Sequence, residues 1–187
     1  LAQETETQLT EINVKGERGD GPVDGYAASA SLSATKTDTP IVRTPVAINV
    51  VTAEQMRDQA VTSVAQALRY TPGVFTEYRG SSNLHDEMYM RGFGYVPRFL
   101  DGLSFGWSSF GQLDPWLLER VAAVKGPSSV MYGQASPGGI INMVSKRPNG
   151  ITANQVGLSF GNLNRVEARF DFQGVVPEND DLAWRFV

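Results

Sequence analysis

From residue 150 to the last residue, Val187, apolar and polar positions alternate with a period of two. Val156, Leu158 and Phe160 alternate with Gln155, Gly157, Ser159 and Gly161. Val166, Ala168, Phe170 and Phe172 alternate with Arg165, Glu167, Arg169, Asp171 and Gln173, and Leu182, Trp184 and Phe186 flank Arg185. Asn162 and the stretch 177–180 supply turns, so the pattern predicts antiparallel strands with one apolar, aromatic face and one charged face. That dyad suits a sheet with one wet face. It equally suits a transmembrane barrel with lipid outside and a polar lumen. Period alone favours the soluble sheet.

Residues 41–149 predict a small mixed α/β domain. Ile48 to Val51 is a short strand, and Thr52-Ala53-Glu54-Gln55 opens a helix with a capping box. Ser63-Val64-Ala65-Gln66 is a second box, whose helix is stopped by Pro72-Gly73. Glu87 to Arg91 alternates as a strand, Asp114-Pro115 is an N-cap with Pro in the first turn, and Val121 to Val124 is a strand. Pro127 to Tyr132 predicts a short helix closed by Gly133, followed by a strand over Gly138 to Val144.

Residues 1–40 are polar and aperiodic, which predicts an extended, flexible segment. Within it Thr10-Glu11-Ile12-Asn13-Val14 alternates, and such a strand can add to the sheet edge of a partner. Leu1-Ala2-Gln3-Glu4 fits the junction behind a cleaved secretory leader. The alternation still running at Val187 leads us to expect further strands.

Composition removes several classes of chemistry. The 187 residues contain no Cys and one His, so disulfides, thiolate metal sites, thiol catalysis and clustered-His metal sites are excluded. His85 beside Asp86 and Glu87 reads as a solvated loop histidine. With 16 Lys+Arg against 20 Asp+Glu, and no basic block interleaved with aromatics, nucleic-acid binding has no support. No apolar run reaches the ~18 residues of a membrane helix. Ser136 lacks the spacing of a nucleophile elbow, and Lys125-Gly126-Pro127 lacks the upstream Gly of a P-loop. The chain is not expected to be an enzyme, and no metal or cofactor is expected.

Ordered motifs then carry a resemblance. Asp114 to Val121, Lys125-Gly126-Pro127-Ser128-Ser129-Val130-Met131-Tyr132-Gly133, and Ser136 to Pro148 resemble the plug signature of TonB-dependent outer-membrane siderophore receptors. Thr44-Pro45, Tyr70-Thr71-Pro72-Gly73-Val74, Arg91-Gly92-Phe93 and Leu100-Asp101-Gly102 fall in the same order, so the likeness runs from about Asp38 to Pro148. Arg79-Gly80, Ser82-Asn83 and the Asp114-Pro115 block look most like ferrichrome-type hydroxamate receptors.

The resemblance implies an α+β plug over 41–149, a small mixed sheet with short helices, followed from 150 by the first strands of a 22-stranded β-barrel. It makes 1–40 a periplasmic segment whose residues Thr10, Glu11, Ile12, Asn13 and Val14 are the TonB box, with 15–40 a slack tether. The partners it implies are TonB, a ferric siderophore and outer-membrane lipid, around a monomer. Candidate ligand contacts are Arg79, whose guanidinium can donate to oxygens around iron, Tyr95 and Arg98 in a second loop, and Trp107 and Phe110 in a third. The second loop is shorter than in the ferrichrome receptor and lacks its Gly-Gln pair. Arg91, Glu119, Arg120 and Lys125 are the charges expected to pair the plug with barrel residues. The other readings are an isolated periplasmic module that binds TonB, or a receptor for a catecholate siderophore, haem or cobalamin.

Overall fold

The computed structural model describes residues 17–80, 85–105 and 112–187. Expectations for residues 10–14, Trp107 and Phe110 lie outside these residues.

A five-stranded mixed sheet organises the first part. Its strands are β1 (Ala47–Thr52), β4 (Arg98–Leu100), β5 (Leu103–Ser104), β6 (Leu118–Lys125) and β7 (Gly139–Ser145), in the order β1-β6-β7-β4-β5. All pairs are antiparallel except β4 with β7. The apolar run in β6 is buried on both faces. One face packs Val51, Val121, Ile141 and Met143 against Met56 of α2 (Ala53–Asp58) and Val64 and Leu68 in and beside α3 (Val64–Ala67). The other face packs Phe99, Val124 and Ile140 against Ala34 of α1 (Leu32–Thr35) and Tyr132 of α4 (Ser129–Tyr132). The sheet is therefore the middle layer of three. Gly139 makes the β6–β7 turn close: at φ +136°, its Cβ would lie 2.1 Å from the Val124 carbonyl oxygen.

The capped helices form as their sequences require. Thr52 Oγ1 accepts from Gln55 N at 3.2 Å, and Ser63 Oγ accepts from Gln66 N at 3.2 Å. Gln66 returns its carbonyl oxygen to Thr62 N at 2.8 Å, one residue ahead of the cap. Asp114 caps a 3₁₀ turn, Pro115–Leu117, which leads directly into β6.

Two expectations change. The strand predicted over 87–91 is only β3 (Tyr89–Met90), paired with β2 (Val74–Phe75). Asp86 and Arg91 bracket it with positive φ, +50° and +52°, which no strand continues through. The polar composition predicts a flexible segment through residue 40, yet residues 17–40 lie against the sheet. Ala30, Ser31, Ser33 and Ala34 are buried there, and polar contacts replace the apolar period that the sequence lacks.

The second part is a three-stranded antiparallel sheet of β8 (Ala153–Phe160), β9 (Val166–Val176) and β10 (Asn179–Phe186), in the order β10-β9-β8. Its polarity is inverted relative to a soluble sheet. Leu158 and Phe160 are 68% and 78% exposed, whereas Asp171 and Gln173 on the opposite face are 5% and 7% exposed. The charged face lies against the first part and the apolar face points away. Gly174 lets the Trp184 ring lie on the strand, since a Cβ there would meet it at 3.1 Å.

Candidate functional site

The first candidate region is an aromatic cluster built on the β2–β3 pair. Its register sets Phe75 opposite Tyr89. Met88 and Met90 point into the core, so Glu87 and Tyr89 emerge on the other side. Tyr89 packs on Tyr78 at 4.9 Å between ring centroids, on Tyr95 at 6.2 Å and on Phe75 at 6.4 Å. Gly94 admits this packing, because a Cβ there would stand 2.7 Å from the Tyr89 ring. Arg79 Nε lies 2.8 Å from Glu87 Oε2, and its guanidinium also bonds Tyr95 and sits 5.7 Å from the Tyr78 centroid. Glu87 holds the Arg79 guanidinium above its usual range. Phe75, Tyr78 and Tyr95 are about half exposed. The arrangement offers ring faces, hydroxyls and a cation whose charge is already compensated.

Arg79 and Tyr95 are thus brought together, and Arg98 is not with them. Arg98 is 5% exposed, stands 3.9 Å from Asp86 Oδ2 and lies 5.7 Å from the Phe105 centroid. Asp86 Oδ1 in turn accepts from Ala65 N at 3.1 Å and from Gln112 Nε2 at 3.3 Å. Burial pushes the Asp86 carboxyl up and the Arg98 guanidinium down. Arg98 is an internal brace between loop and helix, because β4 carries it into the sheet. Sequence reasoning missed Phe75, Tyr78, Glu87 and Tyr89. The alternation over 87–90 held the signal, since the two Met mark the buried face and leave Glu87 and Tyr89 on the other. His85 is exposed, and among the described residues no three His, Asp or Glu converge as metal ligands.

The second region is the seam between the two parts. Asp171 of β9 takes a bidentate contact from Arg185 (Nε 2.8 Å, Nη2 2.7 Å) and one from Lys146 Nζ at 2.7 Å. Arg185 Nη1 also reaches Glu119 Oε2 at 3.3 Å and donates to the Arg147 carbonyl at 3.0 Å. The side chains of Lys146, Asp171, Arg185 and Glu119 are all less than a tenth exposed. Burial lowers the Lys146 ammonium, opposed by Asp171. Trp116 completes the seam. Its Nε1 donates to the Phe170 carbonyl at 3.0 Å, and Lys146 Nζ stands 4.3 Å from its ring centroid. A cleft of about 620 Å³ runs alongside, lined by apolar residues such as Met56 and Leu158 and by Arg57, Gln155 and Arg169.

Of the four charges expected to reach barrel strands, Glu119 alone lies in this seam among the described residues. Arg120, the next residue, points to the opposite side of β6 and is fully buried against residues 17–30. Arg91 and Lys125 lie near each other; burial, and after it the Arg91 charge, lowers the Lys125 ammonium.

The family model described as the TonB-dependent Receptor Plug Domain matches residues 40–140. The chain is 44% identical over 184 residues to the ferrioxamine receptor of Yersinia enterocolitica, covering 94% of this chain and 25% of that protein. It is 39% identical over 173 residues to the ferrichrome outer membrane transporter/phage receptor of Escherichia coli K12, covering 89% of this chain and 23% of that protein. The closed form of the ferric-catecholate import receptor Fiu from E. coli K12 superposes with a TM-score of 0.73 at 30% identity, over 86% of this chain and 22% of that one. The chain thus spans about a quarter of the length of the curated relatives it matches.

Proposed function

The chain belongs to the TonB-dependent receptor plug family, and from that premise we propose that it is the plug and opening barrel strands of an outer-membrane receptor that imports a ferric hydroxamate siderophore with energy relayed by TonB. The observation that carries this reading is the inverted polarity of β8–β10. A sheet with ionic residues inside and Leu158, Phe160 and Phe186 outside is stable where lipid covers the outside. Exposed in water, the same face would be a large apolar patch, which weighs against an isolated periplasmic module.

The aromatic cluster around Arg79 supports the ligand class. Ferric trihydroxamates present carbonyl and hydroxamate oxygens without strong net negative charge. Arg79, compensated by Glu87 and set among tyrosines, can donate to such oxygens. A ferric tris-catecholate carries several negative charges and calls for uncompensated cations. The names of the ferrioxamine and ferrichrome receptors support the same class.

The seam has a role in this scheme. Asp171, Arg185, Lys146 and Glu119 hold the plug to the wall through ionic contacts that are costly to break on one side. Arg91 and Lys125 are two neighbouring cations suited to acidic partners from further strands. TonB would take the segment ahead of Glu17 by strand addition and pull. Ligand at the aromatic cluster would bias that segment towards capture.

The test is tryptophan fluorescence of the full-length receptor in detergent, titrated with ferrioxamine B, ferrichrome and a ferric tris-catecholate. Saturable quenching by the hydroxamates is expected, with Arg79→Ala weakening it about tenfold, or ~1.4 kcal/mol. Tight binding of the catecholate alone would overturn the ligand class and leave the transport scheme in place.

A further inference from the structure

Neither the aromatic cluster nor the seam uses Arg120. It is the largest fully buried side chain among the described residues, and it stands in β6, which is paired on both sides. Its guanidinium donates to the Ala30 carbonyl at 2.9 Å, to the Arg18 carbonyl at 3.2 Å and to the Gly21 carbonyl, and lies 3.4 Å from Glu17 Oε1. These acceptors all belong to the segment ahead of α1. Burial lowers the affinity of the guanidinium for its proton, and Glu17 opposes that shift.

The segment is also closed on itself and pinned from the far side. Gly19 N donates to Asp38 Oδ1 at 2.6 Å, and Leu32 N donates to the Gly19 carbonyl at 3.1 Å. A Cβ on Gly19 would lie 2.6 Å from Leu32 N, so the two strands of this loop are in contact. Tyr132 donates to the Ser33 carbonyl at 2.7 Å, and Asn142 donates to Ser33 Oγ at 2.9 Å. Beyond Pro40 the chain runs on to β1, an edge strand paired only with β6.

We propose that residues 17–38 form a force-bearing latch with Arg120 as its positioning residue. Tension applied ahead of Glu17 passes through the guanidinium into β6, and it reaches β1 only after Glu17, Arg18, Gly21 and Ala30 have left Arg120. The proposal rests on the reading that a partner pulls from that side. Without the latch, the covalent path would load β1 directly, and an edge strand peels from its neighbour one hydrogen bond at a time. With the latch, the load falls first on a strand held on both sides. Release uncovers the Arg120 guanidinium, because the departing segment is what buries it.

The test is single-molecule pulling on the N-terminus of the full-length receptor in lipid, comparing the wild type with Arg120→Met and Glu17→Gln. Arg120→Met removes the charge together with its acceptors' donor. Glu17→Gln touches a partly exposed rim position and keeps the buried guanidinium in place, so it reports even where Arg120→Met fails to fold. The wild type is expected to yield a first rupture that frees the chain as far as the start of β1. That peak is lost in Arg120→Met and shifts to lower force in Glu17→Gln. Later ruptures in Glu17→Gln, and ferrioxamine B binding by the same preparation, stay as in the wild type. A first rupture unchanged in Glu17→Gln, or one that in the wild type already extends through β1, overturns the latch. Failure of ferrioxamine B to bind, with the first rupture still following Glu17 and Arg120, would overturn the ligand reading and support the latch.

Discussion

Tyr132 is 8% exposed, its hydroxyl donates to the Ser33 carbonyl at 2.7 Å, and Lys36 Nζ lies 3.9 Å from its ring centroid. Burial pushes the phenol up to about 12 from an ordinary 10.0. Because the folded value lies above the unfolded one, the protonated phenol favours the fold. That stabilisation is complete below pH 10 and is lost as pH rises towards 12. The loss amounts to roughly 3 kcal/mol over that window. Alkaline denaturation of the full-length receptor should therefore steepen above pH 10, and Tyr132→Phe should remove the steepening; an identical profile in the variant would count against it. Residues such as this were not legible as site or core in advance. The family resemblance named Arg79 and Tyr95, and the fold sets the two side by side. Arg98 looked the same in sequence but is drawn inside by β4, and the pairing of β4 with β7 joins positions more than forty residues apart.

Elements defined by local chemistry form where the residues say. Thr52 and Ser63 cap α2 and α3 through their own side chains, an interaction that spans three residues and needs no tertiary context. Thr52→Ala and Ser63→Ala should each cost about 1 kcal/mol. Hydrogen exchange should locate that loss in the amides of the helix concerned, and a loss spread evenly over the sheet would contradict the assignment. Thr52 carries a second load, because its hydroxyl also donates to the Gly25 carbonyl at 2.8 Å, so its replacement should additionally loosen residues 17–30. The elements without a local signature were invisible. The strands β2, β4 and β5 are two or three residues long and show no alternation, and their existence depends on neighbours distant in sequence. Residues 17–40 lack any period because their hydrogen bonds to Arg120, Tyr132, Asn142 and Glu54 do the work that apolar faces do elsewhere.

For the whole molecule the decisive property is which face of β8–β10 is inside. The alternation was plain in the sequence, but its sense was not, since a wet-faced soluble sheet and a membrane strand share the same period. The contacts of Asp171 and Arg185 with Lys146 and Glu119, and of Arg169 with Asp114, orient it. Leu158→Arg places a charge on the outward face and should destabilise the receptor in vesicles by about 2–4 kcal/mol if the position lies near the bilayer midplane. Urea unfolding from phospholipid vesicles would measure this, and a variant as stable as the wild type would contradict a lipid-facing Leu158.

The two-sided character of that sheet has a consequence for delivery. In an aqueous compartment the ionic side can already be satisfied by Lys146 and Glu119, while the side bearing Leu158, Phe160 and Phe186 has nothing to cover it. Within the described sheet, β8 and β10 each also present an edge that pairs with no strand. A chain in transit therefore carries a greasy, open-edged ribbon that would recruit its own copies into aggregates. A plug that folds early would act meanwhile as a template, seating Asp171 and Arg185 and so fixing the register of the first strands before the wall around them exists.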